Sequence, residues 1–174
     1  MKFELNQSIE ILDRTPALLR IWLVGLDRAW IESNYGEETF SPFDVIGHLL
    51  HGERMDWMTR VEIILEQGES RTFIPWDRYA MKTESQGKTI DQLLDEFAKA
   101  RKDNVDKLKA KKLNNTDLQR TGTHPRFGQV TLQQLFATWV THDLNHIHQI
   151  AKCMAWQYRD EIGPWREYVT FIDR

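Results

Sequence analysis

Apolar residues recur every three or four positions along most of the chain, which is the period of amphipathic helices. The first apolar stripe begins near residue 4, and Asn34-Tyr35-Gly36 ends it with a helix-stop signal. Within this stripe, Thr15-Pro16 has the form of a helix start, a capping threonine before a first-turn proline. We therefore expect the first helix to bend at this point.

Three further apolar stripes begin at strong capping signals, at Ser41, Thr89 and Thr131. The predicted helices run over residues 41–67, 89–112 and 131–159. Gly163-Pro164 then ends the helical pattern. A short terminal helix packed on the bundle is expected from the apolar residues Trp165, Tyr168, Val169 and Ile172. No stretch shows the alternating pattern of a strand. The sequence predicts an all-α four-helix bundle, with residues 1–174 as a single domain.

Two connections are longer than ordinary loops, at residues 68–88 and 113–130. The first carries aromatic residues among charged ones, including Phe73, Trp76 and Tyr79. Two interpretations remain open for it. It is either a lid or the rim of a pocket, or an ordered crossover that packs its aromatic side chains on the bundle.

The composition suits one compact domain, since 174 residues with 41% hydrophobic content can bury a single core. A net charge of -3 gives no electrostatic reason to expect a nucleic-acid partner. The basic run at residues 107–112 is interpreted as a solvated helix C-terminus. We expect no membrane segment, because no apolar run could cross a bilayer and the N-terminus lacks a signal-peptide core. Cys153 is the single cysteine, so no internal disulfide is possible, and we expect a cytoplasmic protein.

Histidines supply the candidate chemistry. His142 and His146 are four residues apart on the predicted fourth helix, so their rings can point the same way, whereas His148 points elsewhere. His48 lies on the second helix, and facing helices of a bundle commonly build metal sites. The three rings would supply neutral nitrogen ligands and leave positions open for water or substrate, as in catalytic sites. The alternative is a set of ordinary core or surface histidines.

Neighbouring residues offer weaker candidates. His51 is a spare ligand candidate, three residues after His48. Glu53 and Asp143 are the nearest carboxylates in sequence, so each either fixes a histidine tautomer or accepts a proton, or is an ordinary helix carboxylate. Residues 142–146 also have the spacing of the metalloprotease His-Glu-x-x-His motif. In those proteases the glutamate is the general base, and the aspartate that replaces it here, Asp143, is one methylene shorter. We therefore disfavour a protease.

A long ordered set of motifs carries a resemblance to a known family. They are Leu12-Asp13-Arg14-Thr15-Pro16, Ser41-Pro42-Phe43-Asp44-Val45, His48-Leu49, Glu53, Trp57, Asp77-Arg78, His124-Pro125, Gly128-Gln129-Val130-Thr131-Leu132, Ala137-Thr138-Trp139, His142-Asp143-Leu144-Asn145-His146 and Gly163-Pro164-Trp165. Through them the chain resembles the DinB/YfiT-like superfamily of metal-binding four-helix bundles over nearly its whole length. The resemblance implies a mirror variant of up-and-down topology, homodimers, and a divalent metal held by His48, His142 and His146. We assign no role to His124, which precedes a proline in a predicted loop, or to His148, which lies off the ligand face of the helix.

The resemblance also implies a class of chemistry, because characterised members include transferases that activate a low-molecular-weight thiol at the metal. We expect zinc or nickel, although imidazole ligands also suit copper and iron. Such an ion lowers the pKa of bound water or thiol, which predicts a thiol transferase or a related hydrolase acting on a small molecule. Cys153 lies about 10 Å along the helix from His146, so the thiol is expected from outside the chain. The alternative is a non-catalytic small-ligand-binding or dimerisation module.

Overall fold

The computed structural model describes residues 1–172, and four long helical segments dominate them. The helices are α1 (Leu5–Leu23), α2 (Arg28–Glu32), α3 (Pro42–Met55), α4 (Trp57–Glu66), α5 (Ala80–Glu84), α6 (Ile90–Ala110), α7 (Asn115–Leu118) and α8 (Leu132–Trp156). Two strands, β1 (Thr121–His124) and β2 (Gly128–Thr131), form an antiparallel hairpin. Short 3-10 helices cover Gly68–Ser70 and Gly163–Tyr168.

The main packing of the bundle places α1 against α6 and α8, and places α3 against the same two helices. Helices α1 and α3, which follow each other among the long elements, therefore lie across a diagonal of the bundle. The same holds for α6 and α8. The chain must cross an end of the bundle to connect diagonal partners, which explains the length of the connections at residues 24–41 and 111–131. The predicted all-α four-helix bundle is confirmed, and its order differs from a bundle in which successive helices are neighbours.

The three predicted helix starts are confirmed, and each is a reciprocal capping box. The side-chain oxygens of Ser41, Thr89 and Thr131 accept from the backbone N–H three residues later, and the side chain there accepts from the cap backbone. Each such cap contributes about 1 kcal/mol to helix stability. Two of these helices, α3 and α8, carry the candidate metal ligands, so the caps define where those ligands lie along the bundle.

Helix α1 runs through Pro16 without a break, so Thr15-Pro16 does not start a new helix. The Thr15 hydroxyl donates back to the carbonyl of Ile11 at 3.1 Å, so it does not cap a new helix. Proline lacks the N–H that would bond to the carbonyl of Leu12. In the structure Arg101 Nη1 donates to that carbonyl at 3.0 Å, and a side chain from α6 thus satisfies the group that Pro16 leaves free.

Three other boundaries differ from expectation. The second helix is interrupted at Asp56, which separates α3 from α4. The 113–130 connection contains the β1–β2 hairpin, although we expected no strand. Strands of four residues are too short to show an alternating pattern of apolar and polar residues. The terminal helix is a 3-10 helix. Its Trp165 and Tyr168 are 69% and 77% exposed and are not packed on the bundle, whereas Ile172, which follows it, is buried as expected.

The core consists of two apolar clusters joined by a buried charge. One cluster includes Trp57 and Trp139, and the other includes Phe97 and Ile150. The guanidinium of Arg101 lies 5.0 Å from the ring of Phe97 and 5.4 Å from that of Trp139, so it contacts both clusters. None of the helices within residues 1–172 is long and apolar enough to cross a membrane.

Candidate metal centre

The rings of His48, His142 and His146 converge where α3 packs against α8. Nε2 of His142 lies 3.2 Å from Nε2 of His48 and 3.1 Å from Nε2 of His146. One ligand nitrogen from each ring falls within 4.8 Å of the others. The capped start of α3 and the four-residue spacing on α8 bring the three rings to one point. The structure thus places together the three histidines that the sequence selected.

The spacing of the nitrogens suits a single ion. Two nitrogens bound to zinc at about 2.0–2.1 Å with tetrahedral angles stand about 3.3 Å apart. The separations that involve His142 are 3.1 and 3.2 Å. Three nitrogens this close cannot all form good hydrogen bonds with one another, because each neutral ring has one donor and one acceptor. The residues present therefore fit a divalent cation at the centre of the cluster.

The protonation state of the rings also suits a metal. Burial, helped by the charge that His146 would carry, lowers the pKa of His48 to about 3. Burial and the two neighbouring imidazoles lower the pKa of His142 to about 2. Burial lowers the pKa of His146 as well. All three rings are consequently neutral near pH 7, and each has a nitrogen lone pair that can bind an ion.

Gln149 orients one of the three rings. Its Oε1 lies 2.7 Å from Nδ1 of His146, so Nδ1–H donates to the amide oxygen and the lone pair lies on Nε2, which faces the cluster. Nδ1 of His142 is buried without a hydrogen-bond partner among residues 1–172. The role of Gln149 was not predicted, although its position three residues after His146 on a helix was a usable signal.

Aromatic side chains surround the cluster. The ring of Trp76 lies 4.6 Å from that of His48, and the ring of Trp57 lies 5.2 Å from that of His142. Trp76 comes from the 68–88 connection, and it also lines a cavity of about 600 Å³ beside His48 and His146. The structure therefore supports both interpretations of this segment, since Trp76 lines the cavity while Phe73 is buried in the core of the bundle.

The cavity opens on one side of the cluster and has a mixed lining. It is lined by Tyr35, Phe40, His48, Trp76, Arg78, Asn145, His146, His148, Gln149 and Lys152. His148 is not in the cluster, as expected, but its side chain lines this cavity. A volume of about 600 Å³ falls in the range of small-molecule sites.

The weaker sequence candidates lie elsewhere. His51 is not in the cluster, and its Nδ1 is 3.0 Å from Oε1 of Glu84 on α5. Glu53 and Asp143 both bind the buried guanidinium of Arg101, at 2.8 and 2.6 Å, rather than a histidine ring. Their candidate role as histidine partners is therefore not seen. The residue that engages both carboxylates, Arg101, is far away in sequence and gave no signal.

Two other predictions concern single side chains. His124 lies on β1, where its Nδ1 accepts from the backbone N–H of Arg126 and of Phe127, so it has a local role in the hairpin. Cys153 is buried and its Sγ lies 3.0 Å from the carbonyl of Ser33. Burial raises the pKa of this thiol to about 11, so it stays protonated near pH 7.

Comparisons with known proteins agree with this fold. Residues 11–150 match the family model of the DinB superfamily. A solved structure, that of YfiT from Bacillus subtilis, a probable metal-dependent hydrolase with an unusual four-helix bundle topology, superposes with a TM-score of 0.71 at 20% identity. The match covers 94% of this chain and 90% of YfiT. At this identity the likeness establishes the fold alone. No curated protein matches the sequence.

Proposed function

This chain belongs to the DinB superfamily, and from that premise we propose that it is a divalent-metal enzyme whose ion is held by His48, His142 and His146. The observation that carries the proposal is the convergence of three neutral imidazoles beside a cavity of about 600 Å³, with Nε2 of His142 at 3.2 Å from that of His48 and at 3.1 Å from that of His146. Three protein ligands leave positions free for a small molecule, which is the arrangement of catalytic rather than structural sites. We propose zinc or nickel as the ion, since imidazole suits both.

The side chains around the centre support hydrolysis or thiol transfer. A divalent ion in this donor set supplies Lewis acidity, which lowers the pKa of water or a thiol and polarises an electrophile. Gln149 holds the proton of His146 on Nδ1, and Trp76 covers one face of His48. The nearest carboxylates in sequence, Glu53 and Asp143, are engaged by Arg101, so they are poor candidates for a general base. Activation of the nucleophile would then depend on the ion.

We propose two reactions for this metal centre. The first is transfer of a low-molecular-weight thiol to an electrophilic small molecule, with the thiol supplied from solution because the Cys153 thiol is buried and protonated. The second is metal-dependent hydrolysis, which is supported by the same site chemistry and by the description of YfiT as a probable metal-dependent hydrolase. The competing proposal is a metal-containing small-ligand-binding or dimerisation module without turnover.

Metal content tests the first part of the proposal. Untagged wild-type protein should contain about one divalent ion per chain, because three preorganised imidazoles bind such ions tightly. His48→Ala, His142→Ala and His146→Ala should each lose most of it. His124→Ala is a matched control, since its ring lies on the hairpin outside the cluster. Elemental analysis of purified and of metal-reconstituted samples gives the result, and metal retained in all three variants would refute the assignment.

Turnover assays separate the two reactions from the competing proposal. Metal-loaded protein is assayed for consumption of small thiols with a panel of electrophiles, and for hydrolysis of a panel of esters and amides. Activity that disappears in His146→Ala and persists in His124→Ala supports an enzyme. Full metal occupancy without activity on either panel would favour the binding module.

We also propose a cytoplasmic homodimer. A single buried thiol suits a reducing compartment. Leu18 and Ile21 on α1 and Leu144 on α8 are exposed apolar side chains on helices that pack against each other. We propose that these side chains contribute to the contact surface between the two chains.

A further inference from the structure

The cavity beside the histidines has an unusual charge for this protein. The chain as a whole carries a net charge of -3. Nevertheless, among residues 1–172, the cavity lining contains Arg78 and Lys152 and no aspartate or glutamate. A low-dielectric wall that carries charges of one sign raises the local concentration of ligands of the opposite sign. The lining therefore favours an anionic small molecule over a neutral or cationic one.

Arg78 is the best-placed residue to bind such an anion. Its guanidinium lies 5.3 Å from the ring centre of Phe40 and 5.0 Å from that of Tyr79. The Phe40 ring is buried and lies 5.5 Å from the ring of His48, so Arg78 stands one aromatic ring away from the histidine cluster. Within residues 1–172, Arg78 forms no ion pair with a carboxylate. Stacking leaves the donor edge of a guanidinium available for a bidentate contact with an oxyanion.

The rest of the lining suits an apolar body attached to the anion. Trp76 lies against His48 on one side, and Tyr35 lies 4.9 Å from Nζ of Lys152 on another. Aromatic rings that line a cavity bind planar or aliphatic groups through apolar contact area. An anion anchored at Arg78 would thus extend its apolar part along these rings toward the histidines.

We propose that the cavity binds small organic acids, with the oxyanion held by Arg78 and an aryl or alkyl body packed on Trp76 and Tyr35. This inference rests on the proposed function and adds the class of its substrate. The reacting group of the substrate would then lie at the histidine cluster, at the end of the molecule remote from its oxyanion.

Calorimetric titration tests the proposal with matched charged and neutral probes. The probes are phenylacetate, 3-phenylpropionate and 4-phenylbutyrate, the corresponding primary amides, and phenyl phosphate to compare a second oxyanion. Each is titrated into metal-free and into zinc-loaded protein at about pH 7.5. At least one acid should bind wild-type protein about tenfold tighter than its amide, the size expected for one charge-assisted bidentate contact.

Variants assign the preference to Arg78. Arg78→Met should weaken binding of the acid about tenfold and leave the amide unchanged, and Arg78→Lys should fall between them because it keeps the charge without the planar fork. Arg126→Met is a matched control, since Arg126 also stacks on an aromatic ring, that of Phe127 at 5.5 Å, but lies on the hairpin outside the cavity. It should bind both probes as wild type does.

The outcomes separate this proposal from the metal assignment. A preference for acids that persists in metal-free protein and disappears in Arg78→Met supports it, whatever the metal content or turnover. Equal affinity for acids and amides, no binding of any acid, or a preference that survives Arg78→Met would overturn it. A preference seen only in zinc-loaded protein would also overturn it, because the carboxylate would then be bound by the ion alone.

Discussion

Arg101 is the residue whose loss we expect to destabilise the fold most. Its side chain is 1% exposed, and it binds Glu53 at 2.8 Å and Asp143 at 2.6 Å. It also donates to the carbonyl of Leu12 at 3.0 Å. Asn104 and Trp139 add hydrogen bonds to the Glu53 carboxylate. This network joins α1, α3, α6 and α8, so every long element of the bundle contributes to it.

The cost of Arg101→Met follows from these contacts. Removing one partner of a buried ion pair costs about 3–5 kcal/mol, because the remaining charge stays buried and unpaired. The Leu12 carbonyl would lose its partner, which costs about 1–3 kcal/mol more. Burial already raises the pKa of Glu53, so uptake of a proton by that carboxylate relieves part of the penalty. We expect a net loss of about 4 kcal/mol, or a melting temperature lower by about 8–16 °C in a domain of this size.

Urea unfolding of metal-free protein, followed by circular dichroism, measures this loss. Lys102→Met is a matched control on the same helix, since the ion pair of Lys102 with Asp106 is exposed and should contribute no measurable stability. A triple variant, Glu53→Gln with Arg101→Met and Asp143→Asn, should regain most of the lost stability because no buried charge remains. Equal stability of Arg101→Met and Lys102→Met would refute the reasoning.

Gln149→Leu removes the acceptor that orients His146, so metal affinity, measured by competition with a chelator, should fall about 10–100-fold. Metal-free protein should lose stability as the pH falls from about 7.5 to about 5.5. The folded pKa values of His48 and His142 are about 3 and about 2, so these two rings bind protons only in the unfolded chain in this window, at a cost of about 1.4 kcal/mol for each ring. Asp56 offsets part of this loss, because burial raises its pKa to about 6 and it takes up a proton in the folded chain. Cys153 should react with iodoacetamide far more slowly in folded than in unfolded protein, because burial raises its pKa to about 11, and Cys153→Ala should keep any turnover.

A specific result would contradict each of these three expectations. For the first, Gln157→Leu on the C-terminal side of α8 is the control, and equal metal affinity in both variants would show that Gln149 does not orient the ligand. For the second, a urea midpoint that stays constant or rises at the lower pH would contradict the depressed pKa values. For the third, rapid alkylation of folded protein, or turnover lost in Cys153→Ala, would show that the thiol is accessible and used.

Local signals predicted much of the secondary structure and part of the site. The capping boxes at Ser41, Thr89 and Thr131 depend on residues three apart, so they can be recognised in the sequence alone. The four-residue spacing of His142 and His146 likewise places two rings on one face of any helix. The failures came where a distant group decides a local outcome. Pro16 lacks the N–H that would bond to the carbonyl of Leu12, and Arg101, far along the chain, donates to that carbonyl while α1 continues.

The sequence by itself determined which segments are helical, where three of the four long helices begin, and that two histidines share a face, because these properties depend on residues within one or two helical turns. The sequence offered His48 as the third ligand, and the tertiary structure brings it to the other two histidines. Tertiary structure alone decided that Glu53 and Asp143 bind Arg101 instead of histidines, and that Trp76 and Arg78 line the cavity. The reason is that these contacts join residues tens of positions apart, and the diagonal arrangement of α1 with α3 and of α6 with α8 selects which of them meet.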